Sequence, residues 1–236
     1  MWAAQRLEGG ARAWALGDAV VAAAPAISRR DRLVVWAGPG PASVGSASSV
    51  TAVRLVRFAL AELGPSYRPL GERELVSRVV AELDEVEVSG AFSWMSLPGG
   101  PVPYDDAGGP EVGWLGGAAE GEVAALLAGH APDSYAVPGA AGVRRWAGVR
   151  IGGELAAVAA DAWSAPSVGL LAGVATVASR RGLGLAERVC RWVSRELVAG
   201  HGRAALMVDD DNAAALSVYG RIGYVRRPVL AAQVAA

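Results

Sequence analysis

The sequence predicts an α/β fold. Three observations predict it. Of 236 residues, 53% are hydrophobic and 19% charged, which supplies a sizeable core and argues against disorder. Short β-rich runs alternate along the chain with stretches of helical periodicity. The most apolar strand, SVGLLAGVATVA, runs through a glycine turn straight into an amphipathic helix.

The elements follow in order. AWALGDAVVAAAPAI, near the start, is apolar but broken by Asp18 and preceded by Glu8 and Arg12, so it does not read as a signal peptide. RLVVWAG (Arg32–Gly38) is a short strand ended by Gly and Pro. In SSVTAVRLVRFALAELG, Val53, Val56, Leu60 and Leu63 recur at helical spacing and Gly64-Pro65 stops the run. GERELVSRVVAELDE is a second helix with Leu75, Val79 and Leu83 on one face, and VEVSGAFSWMSL is a strand or a bent pair of strands. PGGPVPYDDAGGP (Pro98–Pro110) holds too much Pro and Gly for a regular element and reads as a linker or long loop.

The second half is more regular. EVGWL is a short strand and AAEGEVAALLAGH a helix. VRRWAGVR and ELAAVAADAW are two strands around a turn at Ile151-Gly152-Gly153. The apolar strand comes next, expected to be central and buried on both faces. Leu185, Val189, Trp192, Val193 and Leu197 then form one helical stripe, ending at Gly200. AALMV is a strand, AAALSVYGRI a short helix stopped by Gly223, and YVRRPVLAAQV a last strand in which Pro228 marks a bulge or an edge. No internal repeat stands out. Two uncharged runs, Leu33–Val53 and Ala162–Ser179, contain Gly, Pro and Ser at turn-like spacing and read as strands with loops, not membrane spans.

Composition also excludes chemistries. There is no lysine; all 22 basic residues are arginine, which removes the P-loop lysine, Schiff-base lysines and the kinase lysine together. One cysteine, Cys190, rules out an internal disulfide and a Cys-based zinc site. Two histidines, His130 and His201, leave little for a His-rich metal site, and no metal is expected. A net charge of −1 with no basic stretch argues against nucleic acid as a partner. The expected setting is cytoplasmic and off the membrane, with homodimerisation left open. A lysine-free chain rich in Ala and Arg suggests a GC-rich bacterial genome.

The stretch SRRGLGLAERV joins the apolar strand to its helix. Unpaired amides at a helix start carry positive partial charge and bind phosphate oxygens, and Gly182 and Gly184 let backbone approach a ligand closely. A plain tight turn would use the same glycines. A P-loop is impossible without lysine, and a dinucleotide fingerprint would put Glu187 where its third glycine belongs. The remaining pattern is Arg181, Gly184 and Ala186 in R-x-x-G-x-A. With the preceding strand, GVATVASRRGLGLAERV resembles the coenzyme A pyrophosphate loop of the GNAT superfamily of N-acetyltransferases. It is most similar to the glycine N-acyltransferase-like branch, where a Thr precedes the loop as Thr176 does here. The chain departs from the family in having Ala178 where Pro is frequent.

A second stretch, ALMVDDDNAAALSVYGRIGY, resembles the later motif of the same superfamily. Asn212 fits its asparagine, Tyr219 its tyrosine, and Gly223-Tyr224 its ending. Asn212 is a good N-cap, the Asp209–Asp211 run suits a helix N-terminus, and Tyr219 follows Asn212 by about two helical turns. By itself, Tyr219 reads as a core aromatic packed against the sheet.

The resemblance covers roughly Glu111 to the end. It implies a GNAT-type sheet whose fourth and fifth strands, Val168–Val177 and Ala204–Val208, splay apart. It divides the chain into an N-terminal α/β region, 1–108, which runs strand, helix, helix, strand as a degenerate acetyltransferase-like half would, and a catalytic domain, 109–236. It further implies an N-acetyltransferase that moves an acetyl group from acetyl-CoA to the amine of a small molecule by direct attack. Val174, Ala175 and Thr176 would pair with the pantetheine arm. Arg181, Gly182, Leu183, Gly184, Leu185 and Ala186 would hold the pyrophosphate, Asn212 would contribute to the cofactor site, and Tyr219 would contact the cofactor and protonate the departing thiolate. Asp161, Glu154 and Asp209–Asp211 are candidate bases by chemistry, and His130 is an incidental loop residue. Trp94, Tyr104, Trp114 and Trp163 are candidates for an acceptor pocket or for packing. The alternative is an acyl-CoA sensor or scaffold that binds without transfer; a different acyl-CoA reaction on the same fold is a third reading.

Overall fold

The computed structural model describes residues 2–5, 10–38, 47–104 and 109–235. Glu8 and part of the Pro98–Pro110 stretch, residues 105–108, lie outside them. The chain folds into two compact units. One comprises Met1–Trp94, Asp209–Asp211 and Arg227–Ala236; the other comprises Met95–Val208 and Asn212–Arg226. The sequence places the division at 108/109, whereas the units change over inside a strand, after Trp94, and the C-terminal segment returns to the first unit.

In the first unit, strands β1 (Arg12–Leu16), β2 (Ala19–Ile27) and β3 (Arg30–Ala37) form an antiparallel meander. Helix α1 (Ala47–Leu63) crosses to β4 (Arg68–Glu72), which lies parallel to β3, and α2 (Arg73–Glu82) leads into β5 (Val86–Leu97). The order is therefore strand, strand, strand, helix, strand, helix, strand, not the expected strand, helix, helix, strand. Two of the additional strands lie in the early apolar stretch. The third, RPLGE, is short, carries Pro69 and is charged at both ends, so no strand pattern shows. The Val53, Val56 and Leu60 face of α1 is buried as its spacing predicts, with Leu33, Val35, Leu75, Val76 and Val79 in the same core. The sheet order in this unit is β1-β2-β3-β4-β11-β5, where β11 (Val225–Val234) is the last strand of the chain. Pro228 sits just ahead of the β11–β4 ladder, which starts at Val229↔Glu72, so its missing N–H costs that ladder nothing.

The second unit holds β6 (Val112–Trp114), α3 (Glu120–His130), β7 (Val143–Ile151), β8 (Glu154–Ala162), β9 (Gly169–Thr176), α4 (Leu185–His201), β10 (Ala204–Asp209) and α5 (Ala213–Ile222). Its strand order is β10-β9-β8-β7-β6. β7, β8 and β9 are antiparallel, and β9 returns through α4 to the parallel strand β10. The two units share a plan: a three-stranded meander, a helix, a parallel strand, a short helix. The repeat is in topology, not in residues, which is why the sequence alone shows none.

The predicted stripe on α4 is the core of this unit. Leu185, Val189, Trp192, Val193 and Leu197 are buried with Ala147, Val149, Leu171 and Leu206 from the sheet. Truncating one such leucine costs about 2–5 kcal/mol. The helix runs to His201 and is capped by Gly202 at φ 79°, two residues beyond the expected Gly200, which stays helical. Strand alternation places Ala147 and Val149 toward α4 and puts Trp146 and Gly148 on the opposite face.

Candidate functional site

The feature that organises the site is a failure of strand pairing. β9 and β10 pair at Gly169↔Ala204, Leu170↔Ala205 and Leu171↔Leu206, and no further. Beyond Leu171 the strand continues for five residues, Ala172–Thr176, including the predicted Val174, Ala175 and Thr176. On its other side β9 stays bonded to β8, with Ala157↔Thr176 and Val158↔Ala175 in register. So the side of β9 that faced β10 has backbone groups with no ladder partner, which is where an extended chain of amides can add on. The Thr176 hydroxyl is buried and has no hydrogen-bond partner. The equivalent parallel pair of the first unit behaves differently. β3 and β4 stay paired from Arg32↔Arg68 to Val35↔Gly71, and a Cβ on Gly71 would lie 2.7 Å from the Val35 carbonyl oxygen, so that seam is closed.

The glycine turn lies at the end of β9. A single 3-10 turn, Ala178–Arg180, leads to Arg181, and then Gly182 (φ 81°) and Gly184 (φ 74°) take left-handed conformations that side chains adopt poorly. Gly184 is the N-cap of α4 and, having no side chain, caps nothing. The first intrahelical bond is from Arg188 N–H to the Gly184 carbonyl. The helix itself therefore leaves the amides of Leu185, Ala186 and Glu187 unused, as at any helix start. A 17-residue helix dipole stands behind them. Gly182, Leu183 and Gly184 are exposed, and Arg181 is exposed beside them with its guanidinium donating to the His130 carbonyl at the end of α3, 3.3 Å away. His130 thus enters the site through its backbone, not its imidazole. Glu187, which disqualifies a dinucleotide loop, is turned away from the amides. It accepts from Arg191 at 2.9 Å and Arg221 at 2.8 Å, tying α4 to α5. Burial works against its charge, but those two arginines win and hold its carboxyl below the usual range.

Asn212 begins α5 and accepts from the Ala215 N–H at 3.0 Å; Gly223 ends it at φ 107°. The cap is the role the structure gives the Asn212 side chain. Tyr219 is buried against Tyr224, ring centroids 5.9 Å apart. The Tyr224 hydroxyl is bonded to Ser194 at 2.8 Å. Among the described residues the Tyr219 hydroxyl has no such partner. Burial is the main cause that pushes the Tyr219 phenol well above its usual value, helped by Cys190 and Tyr224, so it stays a proton donor.

Two of the candidate bases are otherwise engaged. Asp161 is fully buried, bonded to Arg145 at 3.2 Å and to Ser164 at 2.5 Å. Asp210 accepts from Ser93 at 2.6 Å and pairs with Arg73, all within the first unit. Glu154 sits at the exposed β7–β8 turn, and Asp209 and Asp211 are exposed. The aromatic candidates scatter. Trp163 is buried and donates to the Ala141 carbonyl at 3.0 Å, and Trp94 packs at a tilt against Trp2, ring centroids 5.6 Å apart. Trp114 lies under the Arg145 guanidinium and edge-on to Trp192, while Tyr104 lies beneath Arg188 and Arg195. Beyond Leu171, β9 holds a residue the sequence reading missed, Gly173 at φ 61°, with Trp146 and Ala136 against it. A glycine inside an otherwise apolar strand was the available signal.

Among the described residues no three His, Cys, Asp or Glu side chains group as a metal site, and no helix is long and apolar enough to cross a membrane.

Residues 147–231, from β7 to β11, match the family model of FR47-like proteins. A comparison with curated proteins returns no match. Among solved structures, the chain is similar to a GCN5-related N-acetyltransferase from Kribbella flavida, at 21% identity and TM-score 0.63, covering 99% of this chain and 94% of that one. It is similar also to a protein from Novosphingobium aromaticivorans assigned to the GNAT family as an acetyltransferase, at 23% identity and TM-score 0.58, covering 98% and 93%. A GCN5-related N-acetyltransferase from Sphaerobacter thermophilus gives 12% identity and TM-score 0.53, covering 91% and 76%. The mixed, splayed sheet flanked by helices is the fold of GNAT acetyltransferases.

Proposed function

We propose that the chain is an acyltransferase that moves an acetyl group from acetyl-CoA to the amine of a small molecule. The observation that carries the reading is the β9–β10 seam, open beyond Leu171↔Leu206 with a glycine-lined helix start at its mouth. The FR47-like match, which spans both features, supports it. The glycine N-acyltransferase-like branch is the finer assignment, supported by Thr176 ahead of the loop.

In this reading the free backbone of Val174 and Thr176 pairs with the pantetheine amides. The amides from Gly182 to Ala186 take the pyrophosphate, with Arg181 alongside. The amine nitrogen attacks the thioester carbon, the carbon–sulfur bond breaks, and Tyr219 gives its proton to the departing thiolate. The amine proton passes to water, since Asp161 and Asp210 are both held in ion pairs. Those same pairs favour the second reading, a sensor that binds acyl-CoA without transfer. Incubation with acetyl-CoA and a panel of small amines separates the two. Free thiol together with an acylated amine supports transfer; CoA binding with neither product supports the sensor. Failure to bind CoA at all rejects both.

A further inference from the structure

We propose that Trp146, backed by Ala136, sets the length of acyl chain the slot accepts and restricts it to two or three carbons. This rests on the acyl-CoA reading above. Gly173 is the second residue past the last β9–β10 pair, so it stands at the narrow end of the slot. A donor whose pyrophosphate lies at Gly182–Ala186 and whose amides run along Thr176 and Val174 brings its thioester to this point.

From there the acyl group has two faces to turn to. On the α4 face, Cys190, Val193, Leu206 and Tyr219 are all buried in one packed core. On the other face, β7 and the segment after α3 supply the wall. A Cβ built on Gly173 would lie 2.5 Å from Trp146 Cη2, 2.8 Å from Cζ3 and 3.1 Å from the Ala136 methyl. The six-membered edge of the indole therefore occupies the space a side chain at 173 would take. Trp146 is 5% exposed and Ala136 0%, so neither can swing into solvent without opening the core.

The indole is held there at a cost. Its Nε1 is buried with no hydrogen-bond partner, and leaving a buried donor unpaired costs about 1–3 kcal/mol. A phenylalanine would fill much of the same wall without that cost. What tryptophan adds is reach, to the backbone of Gly173.

The test is calorimetric titration with CoA, acetyl-CoA, propionyl-CoA and hexanoyl-CoA, which needs no acceptor. The native chain is expected to bind the first three alike and hexanoyl-CoA about tenfold or more weakly, the scale on which an apolar wall rejects extra methylenes. In Trp146→Ala, hexanoyl-CoA is expected to recover about tenfold while CoA is unchanged, and Trp146→Phe is expected to keep most of the native discrimination. Trp146→Leu, closer in volume, gives the same reading if the alanine variant does not fold. Equal binding of hexanoyl-CoA and acetyl-CoA by the native chain overturns the proposal. So does an unmoved ratio in a Trp146→Ala or Trp146→Leu variant that still binds CoA. If CoA itself does not bind, the acyl-CoA reading falls first and takes this one with it.

Discussion

Tyr219 and Tyr224 meet edge to face with ring centroids 5.9 Å apart, yet only Tyr224 has its hydroxyl tied, to Ser194 at 2.8 Å. The proposed function gives these two buried phenols different work. Tyr219→Phe is expected to leave CoA affinity unchanged and slow thiol release by about 10²-fold or more, the contribution of a positioned acid. Tyr224→Phe is expected to strand Ser194 and cost about 1 kcal/mol of stability with turnover largely kept. Calorimetry, thiol-release assays and urea denaturation of the two variants check both. Full activity in Tyr219→Phe removes the acid role.

The same burial makes an alkaline prediction. Burial, Cys190 and Tyr224 raise the Tyr219 phenol well above its ordinary 10.0, and an acid must hold its proton to act. Thiol release is therefore expected to show no falling limb from this group up to pH 10. A loss of rate centred near pH 9, absent in Tyr219→Phe, would contradict it.

Cys190 gives a stability counterpart. Its thiol, ordinarily near 9.0, is pushed up to about 12 by burial and then by Glu187. Below pH 9 the thiol is protonated whether the chain is folded or unfolded. As pH rises from 9 toward 12 the unfolded chain loses the proton and the folded one keeps it, so stability falls. Urea midpoints measured across that range should drop less steeply in Cys190→Ala, and thiol reagents at pH 8 should label the native protein only as fast as it opens.

Gly184→Glu is expected to abolish CoA binding, since it sets a like charge at the amides proposed to take the phosphates. Gly184→Ala is a milder probe. Holding alanine at φ 74° costs about 1–2 kcal/mol, so affinity or stability falls by that order. Unchanged affinity for CoA in Gly184→Glu would sink the loop assignment.

Gly142→Ala tests the turn ahead of β7. Gly142 lies at φ 85°, and a Cβ there would be 2.4 Å from Trp163 Cδ1, with the indole fixed by its bond to Ala141. A loss of about 3 kcal/mol is expected from overpacking and the left-handed turn together, read as a lower denaturation midpoint at constant slope.

The sequence shows the second unit well because its signals are local. Gly182, Gly184, Asn212 and Gly223 each mark a turn or cap that depends on its immediate neighbours. The strands around Gly152-Gly153 are named by a short hairpin. What it hides depends on distant partners. β4 gains its identity from β3 and β11, not from RPLGE. Trp146 reads as one apolar residue of a strand until β9 brings Gly173 over it. The candidate bases look free on paper, and only folding sets Arg145 against Asp161 and Arg73 against Asp210.

The last strand belongs to the unit the chain began with, and this makes the two halves inseparable as gene fragments. A fragment ending at Trp94 lacks the strand that pairs with Leu70–Glu72. One beginning at Met95 carries that strand without β4 and with only the last three residues of β5, its two neighbours in the sheet. Expressed apart, each fragment should be poorly soluble. Mixed, they should find each other and restore a folded protein, a complementation that a chain of two self-contained beads would not need.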